Sequence, residues 1–223
     1  MTKFPFAVVG FDLDGTLLDT SRDLADAVNH ALGVAGRPAL SLDEVKPMIG
    51  GGAKRMLERG LEATGGCPED EMKRLYGILL AYYEQNLSGG TVAFPGMIDA
   101  LDRLAAMGVK LAVCTNKFEH FAEKLLSDLG LRDRFDALIG GDTMGKGNAK
   151  PSAMPIHEMI ARAGGGRAAF VGDSIYDVMA ARNAGIPSIA VSFGFLTHPV
   201  EELGADAIID HYDCLIPTLE RLG

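Results

Sequence analysis

The stretch Ala7-Val8-Val9-Gly10-Phe11-Asp12-Leu13-Asp14-Gly15-Thr16-Leu17-Leu18-Asp19 decides how the rest of the chain is read. An apolar run of strand length ends in two carboxylates spaced two apart, and a glycine and a threonine follow at once. That order suits a buried strand whose tip opens on a reaction centre. Two acids at the mouth of an apolar strand repel each other and lose water, which drives one of them to take up a proton unless a cation lies between them. A hard cation that prefers oxygen ligands, such as Mg2+, removes that penalty. One carboxylate then stays ionised as a nucleophile while its neighbour handles protons. Gly15 permits a turn that a Cβ would resist and lets backbone N–H groups approach an anion. An Asp-x-Asp-Gly alone is a common strand-to-turn junction. The site reading rests on the strand, the acid pair, Gly-Thr and a following helix start all coinciding.

Downstream of Asp19 the rhythm is helical. Thr20-Ser21-Arg22-Asp23 has the form of a capping box, and Leu24, Val28, Ala31, Leu32 and Ala35 recur at helical spacing until Gly36 and Pro38. A second box, Ser41-Leu42-Asp43-Glu44, opens a short helix. Ile49-Gly50-Gly51-Gly52 then leads into a helix carrying Met56, Leu57 and Leu61, and another starts at Pro68. From Thr91 onward helices alternate with apolar runs at 109–114, 136–140, 168–172 and 187–192, and 207–209 adds an edge strand. Near-continuous apolar strands alternating with helices predict a parallel sheet covered on both faces. The fold class is therefore α/β, a Rossmann-like parallel sheet core with an inserted all-helical cap domain. Residues 1–17 and 92–223 make the core, and 18–91 make the cap between core strands one and two. Gly89, Gly90 and Pro95 mark the return linker.

Bulk properties exclude several classes. The 223 residues, 48% hydrophobic, suffice for one large domain or one domain carrying an insert. A net charge of −9 without any basic run argues against a nucleic-acid or membrane-surface partner. Cys67, Cys114 and Cys214 are far apart, so neither a disulfide framework nor a zinc ribbon is indicated, and a reducing cytoplasmic location is expected. Asp12 interrupts the first apolar run before any cleavage site, which fits a strand better than a signal peptide. No segment is long enough to span a bilayer.

In open α/β sheets ligands bind at the carboxyl ends of strands, so further site residues belong just after the apolar runs. In Cys114-Thr115-Asn116-Lys117, the Thr115 hydroxyl and the N–H groups that follow either hold phosphate oxygens or merely cap a helix. Asn148-Ala149-Lys150-Pro151 offers Lys150, with Lys146 as its rival in the same loop. Gly140 to Lys146 has P-loop spacing, but Gly147 stands where Ser or Thr is required, which rejects that reading. In Gly172-Asp173-Ser174-Ile175-Tyr176-Asp177 two acids lie one helical turn apart. They suit direct and water-mediated cation ligation, or else an N-cap followed by an ordinary first-turn acid.

Phe11 to Asp19 resembles motif I of the haloacid dehalogenase superfamily, and Thr115, Lys150-Pro151 and Asp173 to Asp177 match motifs II, III and IV in order. The resemblance implies Mg2+-dependent phosphoryl transfer, with Asp14 separating the phosphatase branch from the dehalogenases. Asp12 would attack phosphorus, Asp14 would move protons, and Thr115, Asn116 and Lys150 would hold the phosphoryl oxygens. The implied metal ligands are Asp12, Asp14 through its backbone carbonyl, and Asp173, with Asp177 in support. Gly15 to Asn29 followed by Ile49-Gly50-Gly51-Gly52-Ala53 is similar to the phosphoglycolate phosphatases, which usually carry Asn where this chain has Gly51. That similarity implies a small phosphorylated metabolite, 2-phosphoglycolate first, with Gly51, Gly52 and Arg55 near its carboxylate. The glycines also read as a flexible loop, and Arg55 and Arg59 as solvated charges. A sugar-phosphate mutase would share Asp12 and Asp14, but Ser21-Arg22-Asp23-Leu24 stands where its His and aromatic are expected. A non-catalytic binding module would be expected to have lost a motif acid, and none is lost. A monomer or homodimer is expected.

Overall fold

The computed structural model describes residues 4–223, so residues 1–3 of the expected first core segment lie outside it. The chain opens with β1 (Val8–Phe11) and β2 (Leu18–Asp19). Four helices follow without an intervening strand: α1 (Ser21–Val34), α2 (Leu42–Val45), α3 (Ala53–Ala63) and α4 (Glu69–Gln85). Next come β3 (Val92–Ala93), α5 (Met97–Ala106), β4 (Lys110–Cys114), α6 (Glu119–Asp128) and β5 (Ala137–Ile139). The chain ends with α7 (Met154–Arg162), β6 (Ala168–Gly172), α8 (Ile175–Ala184), β7 (Ser188–Val191), β8 (Ala207–Ile209) and α9 (Leu215–Leu222).

Six strands form one parallel sheet in the order β5-β4-β1-β6-β7-β8. The chain leaves β1 towards β4 and β5 on one side, then crosses back to β6 on the other. The loops after β1 and β6 therefore open into the crevice where strand order reverses. Because side chains alternate along a strand, each apolar run feeds two cores. Val9, Phe11, Leu111, Val113 and Val171 join the larger one, whereas Val8, Ala112, Cys114 and Phe170 meet α7 and α8 on the other face. This is why the strands read as continuous apolar runs. Gly10 belongs to the second face, where a Cβ would come within 2.4 Å of Met159 Sδ, so its missing side chain lets α7 lie close against β1.

Two local expectations are corrected. Residues 18–19 and 92–93, at the boundaries between core and cap where no strand is expected, pair antiparallel with Leu18 opposite Ala93 and Asp19 opposite Val92. Two-residue strands are too short to carry a periodicity. The box expected at Thr20 does not form, because the Thr20 side chain makes no cap bond and Asp19 Oδ1 accepts from the Ser21 N–H at 3.0 Å instead. Asp23 is then free to turn inward, where it accepts from Gly90 N–H at 2.7 Å and Thr91 Oγ1 at 2.6 Å. This ties α1 to the return linker. The box at Ser41 and Glu44 forms as expected.

Candidate active site

Asp12 N–H donates to Val171 O at 2.9 Å, which carries the β1–β6 ladder one residue past the strand and brings Asp12 to the carboxyl edge of the sheet. The Leu13 carbonyl then accepts from Leu17 and Leu18, reversing the chain. Gly15 sits in this turn at φ +85°, and a Cβ there would lie 2.2 Å from Asp173 Oδ2. Both the backbone and the neighbouring acid therefore demand glycine.

Asp173 follows β6, and its Oδ2 accepts from Phe195 N–H at 2.6 Å. Ser174, rather than Asp173, caps α8, and Asp177 closes the box by accepting from Ser174 N–H at 3.0 Å and Ser174 Oγ at 2.6 Å. Asp177 is thus a capping acid that also belongs to a cluster. Asp12, Asp173 and Asp177 each present an oxygen, and these three lie within 4.8 Å of one another. Lys150 Nζ donates to Asp12 Oδ1 at 2.8 Å, Asp177 Oδ1 at 2.5 Å and the Cys114 carbonyl at 2.8 Å. Lys146 is exposed on the loop before it.

The electrostatics follow from burial. Loss of water raises the Asp12 carboxyl from 3.8 to about 6; Lys150 opposes that rise and Asp177 adds to it. Burial, reinforced by Asp177 and Asp12, lifts Asp173 well above the usual carboxylate range. Burial disfavours the Lys150 ammonium, yet the facing carboxylates of Asp12 and Asp177 outweigh it and raise its value. Three carboxyl groups share one ammonium in a water-poor pocket, and a cation among them is what lets all three ionise. The donor set is all hard oxygen, so its chemistry fits a hard divalent cation.

Asp14 faces a different partner. Lys117 Nζ lies 2.7 and 2.8 Å from its two carboxylate oxygens, and Thr20 Oγ1 donates to Oδ1 at 2.7 Å. Neither Lys117 nor Thr20 was singled out as a site residue from the sequence. Lys117 stands two residues after Thr115, but its pairing with Asp14 spans 103 positions and carries no sequence signature. Thr115 is buried with Oγ1 accepting from Lys117 N–H at 3.2 Å, and Asn116 Nδ2 donates to the Lys150 carbonyl at 3.2 Å.

These groups border a cavity of about 220 Å³ whose lining includes Asp12, Asp14, Lys150, Gly51, Gly52 and Tyr83. That volume falls below the ~300–1,000 Å³ of sites for drug-sized ligands and favours a small substrate. Gly52, at φ +86°, starts α3 and takes a conformation that a Cβ would resist. Arg55, expected beside the substrate, is exposed and does not line the cavity, whereas Lys54 does. With Met56, Leu57, Gly60 and Leu61 buried, the helical period turns position 55 almost directly outward and leaves 54 on the flank. Arg59 donates to the Pro47 carbonyl at 2.9 Å.

A parallel sheet carries an acid cluster after its first and fourth core strands, and residues 9–191 match the family model described as haloacid dehalogenase-like hydrolase. The chain belongs to that family. It is 42% identical to the phosphoglycolate phosphatase of Agrobacterium fabrum (strain C58 / ATCC 33970) over 98% of this chain and 95% of that one. It is 39% identical to the phosphoglycolate phosphatase of Caulobacter vibrioides, over 92% of this chain and 87% of the relative. Among solved structures, a predicted phosphoglycolate phosphatase from Haemophilus somnus 129pt superposes with a TM-score of 0.88 at 30% identity, covering 98% of this chain and 99% of that one. Among the described residues, no helix is long and apolar enough to cross a membrane.

Proposed function

We propose that the protein is a Mg2+-dependent phosphatase that hydrolyses a small phosphorylated metabolite, 2-phosphoglycolate above others, through an aspartyl-phosphate on Asp12. One observation carries this reading: a buried ammonium, Lys150, sits between Asp12 and Asp177, with Asp173 close enough to share a cation. Asp12, Asp173 and the Asp14 backbone carbonyl, with Asp177 in support, would hold Mg2+, which when bound supplies positive charge to the acids and the phosphoryl oxygens. Asp12 attacks phosphorus in line, forming an O–P bond as the bond to the departing alkoxide breaks. Asp14 gives that alkoxide its proton and then takes one from the water that cleaves the acyl phosphate. Inorganic phosphate leaves, and Asp12 is restored. Lys150, Thr115 and Asn116 serve the phosphoryl group, while Lys117 and Thr20 fix the Asp14 carboxyl.

Residues 18–91 act as the cap domain on a core of 1–17 and 92–223, with the β2–β3 pair as the connection between them. The cap excludes bulk water and bounds the leaving group, and Gly51 and Gly52 provide part of that wall. The names of the Agrobacterium and Caulobacter relatives support phosphoglycolate as the substrate. The three free cysteines suit a reducing cytoplasm. The test is phosphate release with Mg2+ over phosphoglycolate, hexose phosphates, nucleotides and pyrophosphate. Phosphoglycolate is expected to give the highest kcat/KM, and a preference for hexose phosphates without phosphoglycolate turnover overturns the substrate assignment.

A further inference from the structure

Two polar groups in the cavity are not fully used by the chemistry above. Lys117, just past the end of β4, points its ammonium inward with the side chain only 5% exposed. Tyr83, from α4, is buried, lines the same cavity, and its hydroxyl has no hydrogen-bond partner. Lys117 Nζ lies 4.9 Å from the centroid of the Tyr83 ring, so an ammonium from the sheet and a phenol from the inserted helices meet beside Asp14. Burial pushes the Tyr83 hydroxyl up to about 12, which keeps it a neutral donor. Burying a poorly paired hydroxyl is unfavourable, and its retention beside Lys117 in the wall of a cavity marks a place that a ligand atom completes.

We propose that Lys117 and Tyr83 together bind the carboxylate of a 2-phospho acid and thereby select an anionic group one carbon beyond the leaving oxygen. This inference rests on the phosphatase reading. To protonate the leaving oxygen, Asp14 must lie within hydrogen-bond reach of it. In a 2-phospho acid the leaving oxygen and the carboxyl carbon are bonded to the same carbon, so ordinary bond lengths place them about 2.4 Å apart. An ammonium 2.7 Å from Asp14 Oδ2 is therefore beside both groups at once. A sugar phosphate or an alkyl phosphate offers only a hydroxyl or a methylene there, which leaves the buried donors poorly matched. Of the other two cations on the lining, Lys150 is already held by Asp12 and Asp177, and Lys54 is 66% exposed and lies 3.5 Å from Glu58, so neither is a desolvated anchor left for a carboxylate.

The experiment compares kcat/KM for 2-phosphoglycolate and for 2-hydroxyethyl phosphate, which keeps the chain length but replaces the carboxylate with an alcohol. It is run on the full chain as wild type, Tyr83→Phe and Lys117→Met. The preference for phosphoglycolate is expected to fall about tenfold in Tyr83→Phe and about a hundredfold in Lys117→Met. Turnover of 2-hydroxyethyl phosphate should stay within about threefold of wild type in Tyr83→Phe, and inhibition by glycolate should weaken in step with the lost preference. Tyr83→Phe removes one oxygen whose only polar neighbour of note is Lys117, so a folding failure of Lys117→Met still leaves a decisive variant. A wild-type preference that survives both substitutions overturns the role of Lys117 and Tyr83 alone. A wild type without any preference overturns the substrate reading and this inference with it.

Discussion

Asp12→Asn is expected to abolish turnover and, without divalent cation, to make the protein more stable. Asp12 is 7% exposed, and burial raises its carboxyl from 3.8 to about 6 despite Lys150 at 2.8 Å. A folded-state value above the unfolded one means that the native state binds the proton more tightly. Stability is therefore lost as pH rises, beginning near 3.8 and complete above about 6. Near neutral pH the ionised group costs about 3 kcal/mol. Asparagine keeps the shape and removes the charge, which in a chain of this size corresponds to a gain of about 6–12 °C in Tm. At about pH 4 the wild type already carries much of the proton, so most of that advantage disappears. Excess Mg2+ reverses the ranking, since the wild type binds it with one more charged carboxylate. Thermal unfolding followed by circular dichroism, with EDTA or Mg2+ at both pH values, reads these differences. Phosphate release in parallel should drop by more than about a thousandfold. A variant less stable than wild type in EDTA near neutral pH, or an offset of equal size at both pH values, would refute the charge-repulsion reasoning.

Other outcomes follow from single contacts. Gly15→Ala forces a Cβ to within 2.2 Å of Asp173 Oδ2, so the Mg2+ concentration for half-maximal activity should rise about ten- to hundredfold in a titration. Asp23→Ala leaves Gly90 N–H and Thr91 Oγ1 unpaired where α1 meets the return linker, and urea unfolding should register a loss of about 2–4 kcal/mol. Cys114 is buried, and burial pushes its thiol up to about 12, so an aromatic disulfide reagent should modify it only after unfolding. The exposed Cys214 should react first, and fast modification of Cys114 in the native protein would contradict the packing of β4 under α7.

Legibility in the sequence tracked the range of the interactions. The apolar runs before Asp12, Thr115 and Asp173 were readable because a strand buried on both faces must be continuously apolar. The helical block from 21 to 85 was readable because its apolar residues recur with a helical period. The glycine at position 15 and the cap at Ser41 were equally local. Arg55 shows where such reading stops: its charge suggested a carboxylate partner, but the buried face of α3 turned it outward and turned Lys54 towards the cavity. Thr20 shows the same limit, since it satisfied a capping pattern and yet donates to Asp14.

By itself, then, the order of residues determined the alternating sheet, the helical insertion and which acids stand at strand ends, because each of these depends on neighbours within a few positions. Only the folded chain decided that Lys150, already preferred to Lys146 on the Lys-Pro resemblance, sits between Asp12 and Asp177, that Lys117 holds Asp14, and that Tyr83 comes over from the insertion to meet it. Those pairings join charges more than a hundred residues apart in two of the three cases. Such partners are chosen by which groups lose water together when the crevice forms, and no local pattern records that choice.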